Sequence, residues 1–383
     1  MPLSKIVANS ITDNTITTDQ IAVNSVHGRR NLVINGSFAV SQRATSVTGV
    51  AGDGYHAVDR FKTAISSAGT FTVSQAADGP SGFSTCHKFD CTTAKSSLDA
   101  GNYILFFQTI EARNLQSLGF GSSGAKQITL SFYVKSNKTG TYIAELALGD
   151  ATNASNNSQA YTISSANTWE RKTLTYAAQT VDVINNDSGE GMNIFFWLGA
   201  GSQWSSGTLN PNVWANTTSA NRAVGQVNLA DSTSNEWLIT GVQLEIGDKA
   251  TPFEHRSFGE ELHDCKRYFQ KSFNYDDAPA NGSSTGISYN GGILSYCGSN
   301  NNGALSGFHR FNPEMRATPS IVTYGNSSGY WGRLSPTNTG TTTFDAGSGY
   351  MSNIKASGIN FGQNASGDTL LIGFGHITAS AEL

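Results

Sequence analysis

The sequence predicts an all-β chain: an N-terminal short-repeat rod, a jelly-roll β-sandwich, one short amphipathic helix and a smaller C-terminal β-sandwich, assembled as a homotrimer. Three observations carry this. Charged residues make up 14% of the 383 and glycine contributes 41 of them, whereas an average globular protein is roughly 25% charged, so the composition is that of a turn-rich β chain. Segments of alternating apolar and polar residues recur between Gly, Asn and Ser clusters, the period of half-buried strands. The first residues repeat at a step that suits neither helix nor strand.

In KIVANSITDNTITTDQIAVNSV, Ile6, Ile11, Ile16, Ile21 and Val26 stand five apart, separated mostly by Thr, Asn, Ser and Asp. A short fixed period builds an elongated object whose units stack, and four steps are too few to bury a core alone. Residues 1–30 therefore read as a rod, stable when identical chains, preferably three, wind about one axis with their Ile edges inward. Composition also permits a disordered polar leader.

Residues 31–256 read as the sandwich. In KQITLSFYVK, Ile128, Leu130, Phe132 and Val134 alternate with Thr129, Ser131 and Tyr133; after SNKTG the alternation resumes with Tyr142, Ala144, Leu146 and Leu148. This spacing predicts a hairpin over 127–135 and 141–148. Further strands are expected near 69–75, 84–92, 103–110, 169–176 and 192–198. A long central strand is expected over 236–246, with Leu238, Thr240, Val242, Leu244 and Ile246 on one face.

Residues 257–270 read as a linking helix. Ser257 and Glu260 form an S-x-x-E capping box, and Phe258, Leu262, Cys265 and Phe269 follow at heptad-like steps. A single helix laid on its own domain satisfies the pattern, and so do three copies meeting with those four residues on the axis. Residues 271–383 read as a smaller β domain, with strands near 284–298, 319–325, 340–346, 352–362 and 369–379. Its polar, Gly-rich loops are where binding functions sit.

The net charge of −4 and the lack of a Lys/Arg cluster remove the footprint of a nucleic-acid binder. The start MPLSKIVANS lacks a basic region followed by an apolar run, and no stretch of about 18 apolar residues occurs, so neither a signal peptide nor a membrane span is expected. Cys86 and Cys91 are an odd number of residues apart and point to opposite faces of a strand, which disfavours a disulfide. With Cys265 and Cys297 they read as small buried groups, not a metal set.

RNLVINGSFAVSQR, YHAVDRF, GTFTVSQ and EWLITGVQLEIGDKATPFEHRSFGEELHDCKRYFQ resemble a module of bacteriophage tail-fibre and receptor-binding proteins over residues 31 to about 270. That module is similar to the jelly-roll carbohydrate-binding modules. FNPEMRATPSIV and the final AEL resemble segments of the β domain that follows it. The resemblance implies a homotrimeric virion fibre, assembled in the bacterial cytoplasm. Its N-terminus would join a tail or baseplate protein, and its tip would meet a host-surface glycan or protein.

Sugar recognition uses flat aromatic faces and planar hydrogen-bonding groups. Two loops offer them: GSQWSSGTLNPNVWANTT with Trp204 and Trp214, and TYGNSSGYWGR with Tyr324, Tyr330, Trp331 and Arg333. An enzyme of the polysaccharide-cleaving kind needs a carboxylate pair, but Glu111, Glu145, Glu170, Asp182, Asp187 and Glu190 are spaced as solvated loop or strand-face residues. The reading is therefore a receptor-binding protein without catalysis, with a depolymerase tailspike or a structural virion adaptor as alternatives. Asn35, Asp59 or Glu245 could offer oxygens to a calcium ion, but no ligand run accompanies them, so no metal or cofactor is assigned. Asp59 and Arg60 point oppositely; Arg60 is expected to tie down a loop while Phe61 enters the core.

Overall fold

Residues 29–150, 155–280, 293–297, 304–324, 332–334, 349–364 and 371–383 are described by a computed structural model. The ladder Ile6, Ile11, Ile16, Ile21 and Val26 lies outside the described residues. In chain order the strands are β1 (Ser46–Val50), β2 (Lys62–Ser66), β3 (Thr70–Ala76), β4 (Cys86–Thr93), β5 (Tyr103–Glu111), β6 (Ile128–Ser136), β7 (Gly140–Leu148), β8 (Ser155–Ile163), β9 (Glu170–Tyr176), β10 (Glu190–Ala200), β11 (Ala215–Asn216) and β12 (Glu236–Ile246). They make two six-stranded sheets, β1-β3-β4-β12-β6-β9 and β11-β8-β7-β10-β5-β2. Apolar residues from both sheets meet in one core that includes Phe71, Phe89, Phe106, Phe132, Phe196 and Trp237.

β6 turns Ile128, Leu130, Phe132 and Val134 into that core, and β7 turns in Tyr142, Ala144, Leu146 and Leu148. The two strands are not a hairpin, however. β6 pairs with β12 and β9, and β7 with β8 and β10. The SNKTG segment carries the chain from one sheet to the other, and Ser136 Oγ and Asn137 Nδ2 donate to the Glu236 and Ser234 carbonyls at 2.5 and 2.6 Å. A hairpin and an inter-sheet corner share one hydrophobic alternation, so the pattern does not separate them.

β12 is central, between β4 and β6, but its inward set differs from the expected one. Its register against β6 shifts between Thr240 and Gln243, and Gly241 sits there at φ 64°. Trp237 and Ile239 enter the core before this bulge, Val242 and Leu244 after it, and Ile246 is left exposed. One extra residue reverses which parity faces inward. A Cβ at Gly241 would also approach Phe83 Cζ to 2.7 Å.

α1 (Phe258–Lys266) begins at the predicted capping box, with Glu260 N–H donating to Ser257 Oγ and Ser257 N–H to Glu260 Oε2. Of the four residues placed on a trimer axis, Cys265 and Phe269 are buried inside this chain, and Leu262 packs with Ile34, Val40 and Tyr268. Phe258 is the exposed one, at 47%. The loop before β1, with Tyr268, supplies their partners, so Leu262, Cys265 and Phe269 are accommodated within one chain.

The C-terminal unit contains β13 (Phe269–Lys271), β14 (Ile293–Cys297), β15 (Ala304–Arg310), β16 (Ser320–Tyr324), β17 (Gly332–Leu334), β18 (Gly349–Lys355), β19 (Gly358–Asn364) and β20 (Leu371–Ser380). β13, β14, β16 and β17 all pair with β20, while β15-β19-β18 form another sheet. The strand expected over 352–362 is a hairpin, because Ala356 and Ser357 form a turn. The one expected over 340–346 lies outside the described residues.

Ion pairs fasten the two units. The Glu382 carboxylate accepts from Arg60 Nη1 and, at 3.0 Å, from Arg43 Nη2. Arg60 is 1% exposed, lies 3.4 Å over the Tyr268 ring and donates to the Thr109 carbonyl at 2.7 Å. Arg316 donates to the carbonyls of Ala381, Glu382 and Ser188, and the Arg267 fork grips Glu111 at 2.7 and 3.0 Å. Arg60 thus ties down the end of β20 rather than a local loop, and Phe61 does enter the core.

His87 lies flat on Phe106, ring centroids 4.4 Å apart, with neither nitrogen hydrogen-bonded. Burial lowers its pKa from 6.5 to about 3. The unfolded chain binds this proton below the upper value and the folded chain only near the lower one. Stability is therefore full above that window and falls as pH drops through it. His87→Leu is expected to flatten this acid limb in part, His56 being lowered by burial as well; urea midpoints across the window check it, and an unchanged slope would count against the assignment.

Candidate functional site

Strand register builds a row across the outer face of the second sheet. Lys62 of β2 stands opposite Phe107 of β5, Phe107 opposite Phe195 of β10, and Phe195 opposite Glu145 of β7. Directly opposed residues share a face. The Phe107 and Phe195 rings lie 4.9 Å apart at 46°, half-buried, and Lys62 Nζ is 5.7 Å from the Phe107 centroid. On one side the next row is apolar: Ala64, Leu105, Trp197 and Ile143. On the other, Thr109 Oγ1 donates to Asn193 Oδ1 at 2.6 Å.

Residues 201–231, the crossover from β10 to β12, cover the apolar row. Trp204 stands edge-on to Tyr103 at 5.7 Å and beside Trp197 at 5.9 Å, and its Nε1 donates to the Gly101 carbonyl. Arg222 Nε donates to Glu145 Oε1 at 2.8 Å, and Trp197 Nε1 to Glu145 Oε2 at 2.7 Å. The Arg222 guanidinium lies 5.2, 5.4 and 5.6 Å from the ring centroids of Trp197, Phe195 and Trp204. Glu145 is wholly buried; burial pushes its carboxyl pKa up and Arg222 opposes that shift. The crossover is thereby seated on a buried charge, with the half-buried Phe107 and Phe195 rings beside it.

This arrangement joins half-buried aromatic rings and two cations on one sheet face, while Thr109 and Asn193 beside them are buried and bonded to each other. Exposed aromatic rings are groups that can stack on flat ligands. Of the sequence-predicted residues, the structure brings Trp204 to it. Trp214 lies in the same crossover but packs on Phe120 at 5.7 Å and donates to the Ala177 carbonyl at 2.7 Å, so it anchors the loop. Tyr324 is half-buried against Phe273 at 5.3 Å. Arg333 lies in β17, where the backbone alone is described, and Tyr330 and Trp331 are outside the described residues.

Sequence reasoning missed Lys62, Phe107, Phe195 and Arg222, and treated Glu145 and Glu111 as solvated. Both carboxylates are 0% exposed and each is paired with arginine. A signal existed in the FF doublets of YILFFQTIE and NIFFW. Each sends one ring inward, Phe106 or Phe196, and the other outward, as strands covered on both faces do. Asn35, Asp59 and Glu245 have separate partners: Asn35 donates to the Val40 carbonyl, Asp59 accepts from Gln42, and Glu245 accepts from Thr251. Among the described residues no group of three or more His, Cys, Asp or Glu is placed to hold an ion, and no helix is long and apolar enough to cross a membrane.

No protein-family model matches the sequence, and no curated protein matches it. Among solved structures, the chain is similar to the enzymatically active domain of bacteriophage CBA120 tailspike protein 4, at 17% identity and a TM-score of 0.31 over 57% of this chain and 21% of that one. It is similar to TmCBM61 in complex with beta-1,4-galactotriose at 11% identity and a TM-score of 0.28, over 57% of this chain and all 100% of that one. The xylan-binding CBM22-1 domain of Paenibacillus barcinonensis Xyn10C aligns at 9% identity and a TM-score of 0.26, over 59% of this chain and 100% of that one.

Proposed function

We propose that the chain is a tail-fibre protein that attaches a virion to a host-surface glycan without cleaving it. The outer face of the second sheet is its sugar platform. The observation that carries this is the half-buried pair Phe107 and Phe195 on the outer sheet face, with Lys62 at its edge and Trp204 and Arg222 beside it. The sequence resemblance of residues 31 to about 270 supplies the virion setting. Binding rather than cutting is supported by Glu111 and Glu145, whose carboxylates are committed to Arg267 and Arg222. Several copies on one particle raise avidity by about 10² to 10⁴, so each site can be shallow.

Binding of the purified protein to polysaccharide extracted from susceptible cells tests the reading. Phe195→Ala is expected to weaken binding by about 2 kcal/mol, the cost typical of an aromatic anchor, and to lower the unfolding midpoint as well, so binding is compared under conditions where the variant is fully folded; Phe107→Ala should behave alike. Full-strength binding by both variants would move the contact elsewhere, and Tyr330→Ala and Trp331→Ala then test the C-terminal loop. Release of reducing ends would instead decide for a depolymerase.

A further inference from the structure

We propose a second sugar site in the C-terminal unit: a cleft at the turn after β15 that takes a single pyranose residue of the host-surface glycan. The cleft encloses about 260 Å³ and is lined by Arg310, Phe311, Asn312, Glu314 and Ser357. That is below the roughly 300–1,000 Å³ of sites for drug-sized ligands, so it suits one sugar ring rather than a stretch of polymer.

The floor of the cleft is fixed before any ligand arrives. The Phe311 N–H donates to the Ser357 carbonyl at 3.1 Å, and the Met315 N–H to the Ala356 carbonyl at 2.9 Å. Gln270 reaches across from β13: its Nε2 donates to the Pro313 carbonyl at 2.7 Å, and its Oε1 accepts from the Asn312 N–H at 3.2 Å. Phe311 and Met315 are sunk in the core of the unit. Arg310, Asn312, Glu314 and Ser357 are left exposed, and among the described residues neither Arg310 nor Glu314 forms an ion pair. A guanidinium, an amide, a carboxylate and a hydroxyl around one small hollow present donors and acceptors side by side. Sugar hydroxyls, which both donate and accept, can satisfy them together.

Phe308 supplies the apolar part. It projects from the same face of β15 as Arg310, two residues on, and Arg310 stands opposite Gly358 of β19. The Phe308 ring lies against that glycine, where a Cβ would come within 2.5 Å of Phe308 Cζ, and Gly358 directly follows Ser357 of the cleft wall. The ring therefore stands beside the cleft, 61% exposed. An aromatic face in water next to a polar hollow matches a ligand with hydroxyls around its edge and a C–H face, which is a pyranose. The site rests on the glycan reading above for the origin of its ligand, and it gives each chain a second contact on the same polymer.

The test titrates polysaccharide extracted from susceptible cells onto the full chain in four forms: unsubstituted, Phe195→Ala, Phe308→Ala and Arg310→Met. Phe308→Ala and Arg310→Met are each expected to weaken binding about tenfold, the size of one aromatic or arginine contact. Their urea midpoints should match the unsubstituted chain, because both side chains are exposed. Full-strength binding by either variant overturns the site, and if Phe195→Ala alone weakens, the outer-face platform stands without it. Weakening by Phe308→Ala and Arg310→Met with Phe195→Ala at full strength keeps this site and removes the platform. No binding by the unsubstituted chain overturns both.

Discussion

Glu145→Ala is expected to destabilise the protein by about 3–5 kcal/mol, the range for removing one member of a buried ion pair. The substitution leaves the Arg222 guanidinium without its carboxylate and the Trp197 indole N–H without its acceptor. It also unseats the crossover 201–231. Glu145→Gln keeps an acceptor for Trp197 and should cost less. Two measurements separate the effects: the urea midpoint reports stability, and limited proteolysis reports new cleavage within 201–231. A midpoint equal to that of the unsubstituted protein, with the crossover still resistant, would show that Glu145 does not seat it. Sugar binding should fall with the crossover, since Trp204 and Arg222 form the wall of the strip.

Arg60→Met is expected to cost about 3 kcal/mol, the lower end of the same range, because Arg43 remains to face Glu382. Methionine keeps much of the stem but loses the stack on Tyr268 and the bond to the Thr109 carbonyl. The double variant Arg60→Met with Glu382→Ala isolates the pair. If the stranded carboxylate causes the loss, the double variant is more stable than the sum of the single effects predicts. Simple additivity would assign the loss to packing on Tyr268 instead. The Arg60 backbone, at φ 72°, is retained in both variants.

Much of the sandwich was legible because its inner face obeys a period of two. Ile128 to Val134 and Tyr142 to Leu148 entered the core as the alternation required. What the sequence left hidden was set by long-range geometry. The Gly241 bulge inverted the face of β12, and only its register against β6 reveals this. β2 and β8 carry short or polar stretches, KTAIS and SNNSQAYTI, whose pairing with β5 and β7 compensates for a weak pattern. The aromatic strip was hidden for a related reason. Tryptophans in a polar loop draw notice, whereas Phe107 and Phe195 sit inside apolar runs that read as core. Their outward direction follows from Phe106 and Phe196 taking the inward places. Arg222 drew no notice either, as its partner Glu145 is 77 residues away.

The crossover from β10 to β12 is tied to the rest of the molecule by the β11–β8 pairing, by Leu229 and Ala230 in the main core, and by a set of side-chain bonds. Glu145 holds Arg222, the Gly101 carbonyl holds Trp204, the Ala177 carbonyl holds Trp214, and the Lys95 carbonyl accepts from Asn228. Between these fixed points its side chains are largely solvent-facing. Between the anchors the exposed positions of 206–213 can therefore change without disturbing the Glu145–Arg222 pair or the core.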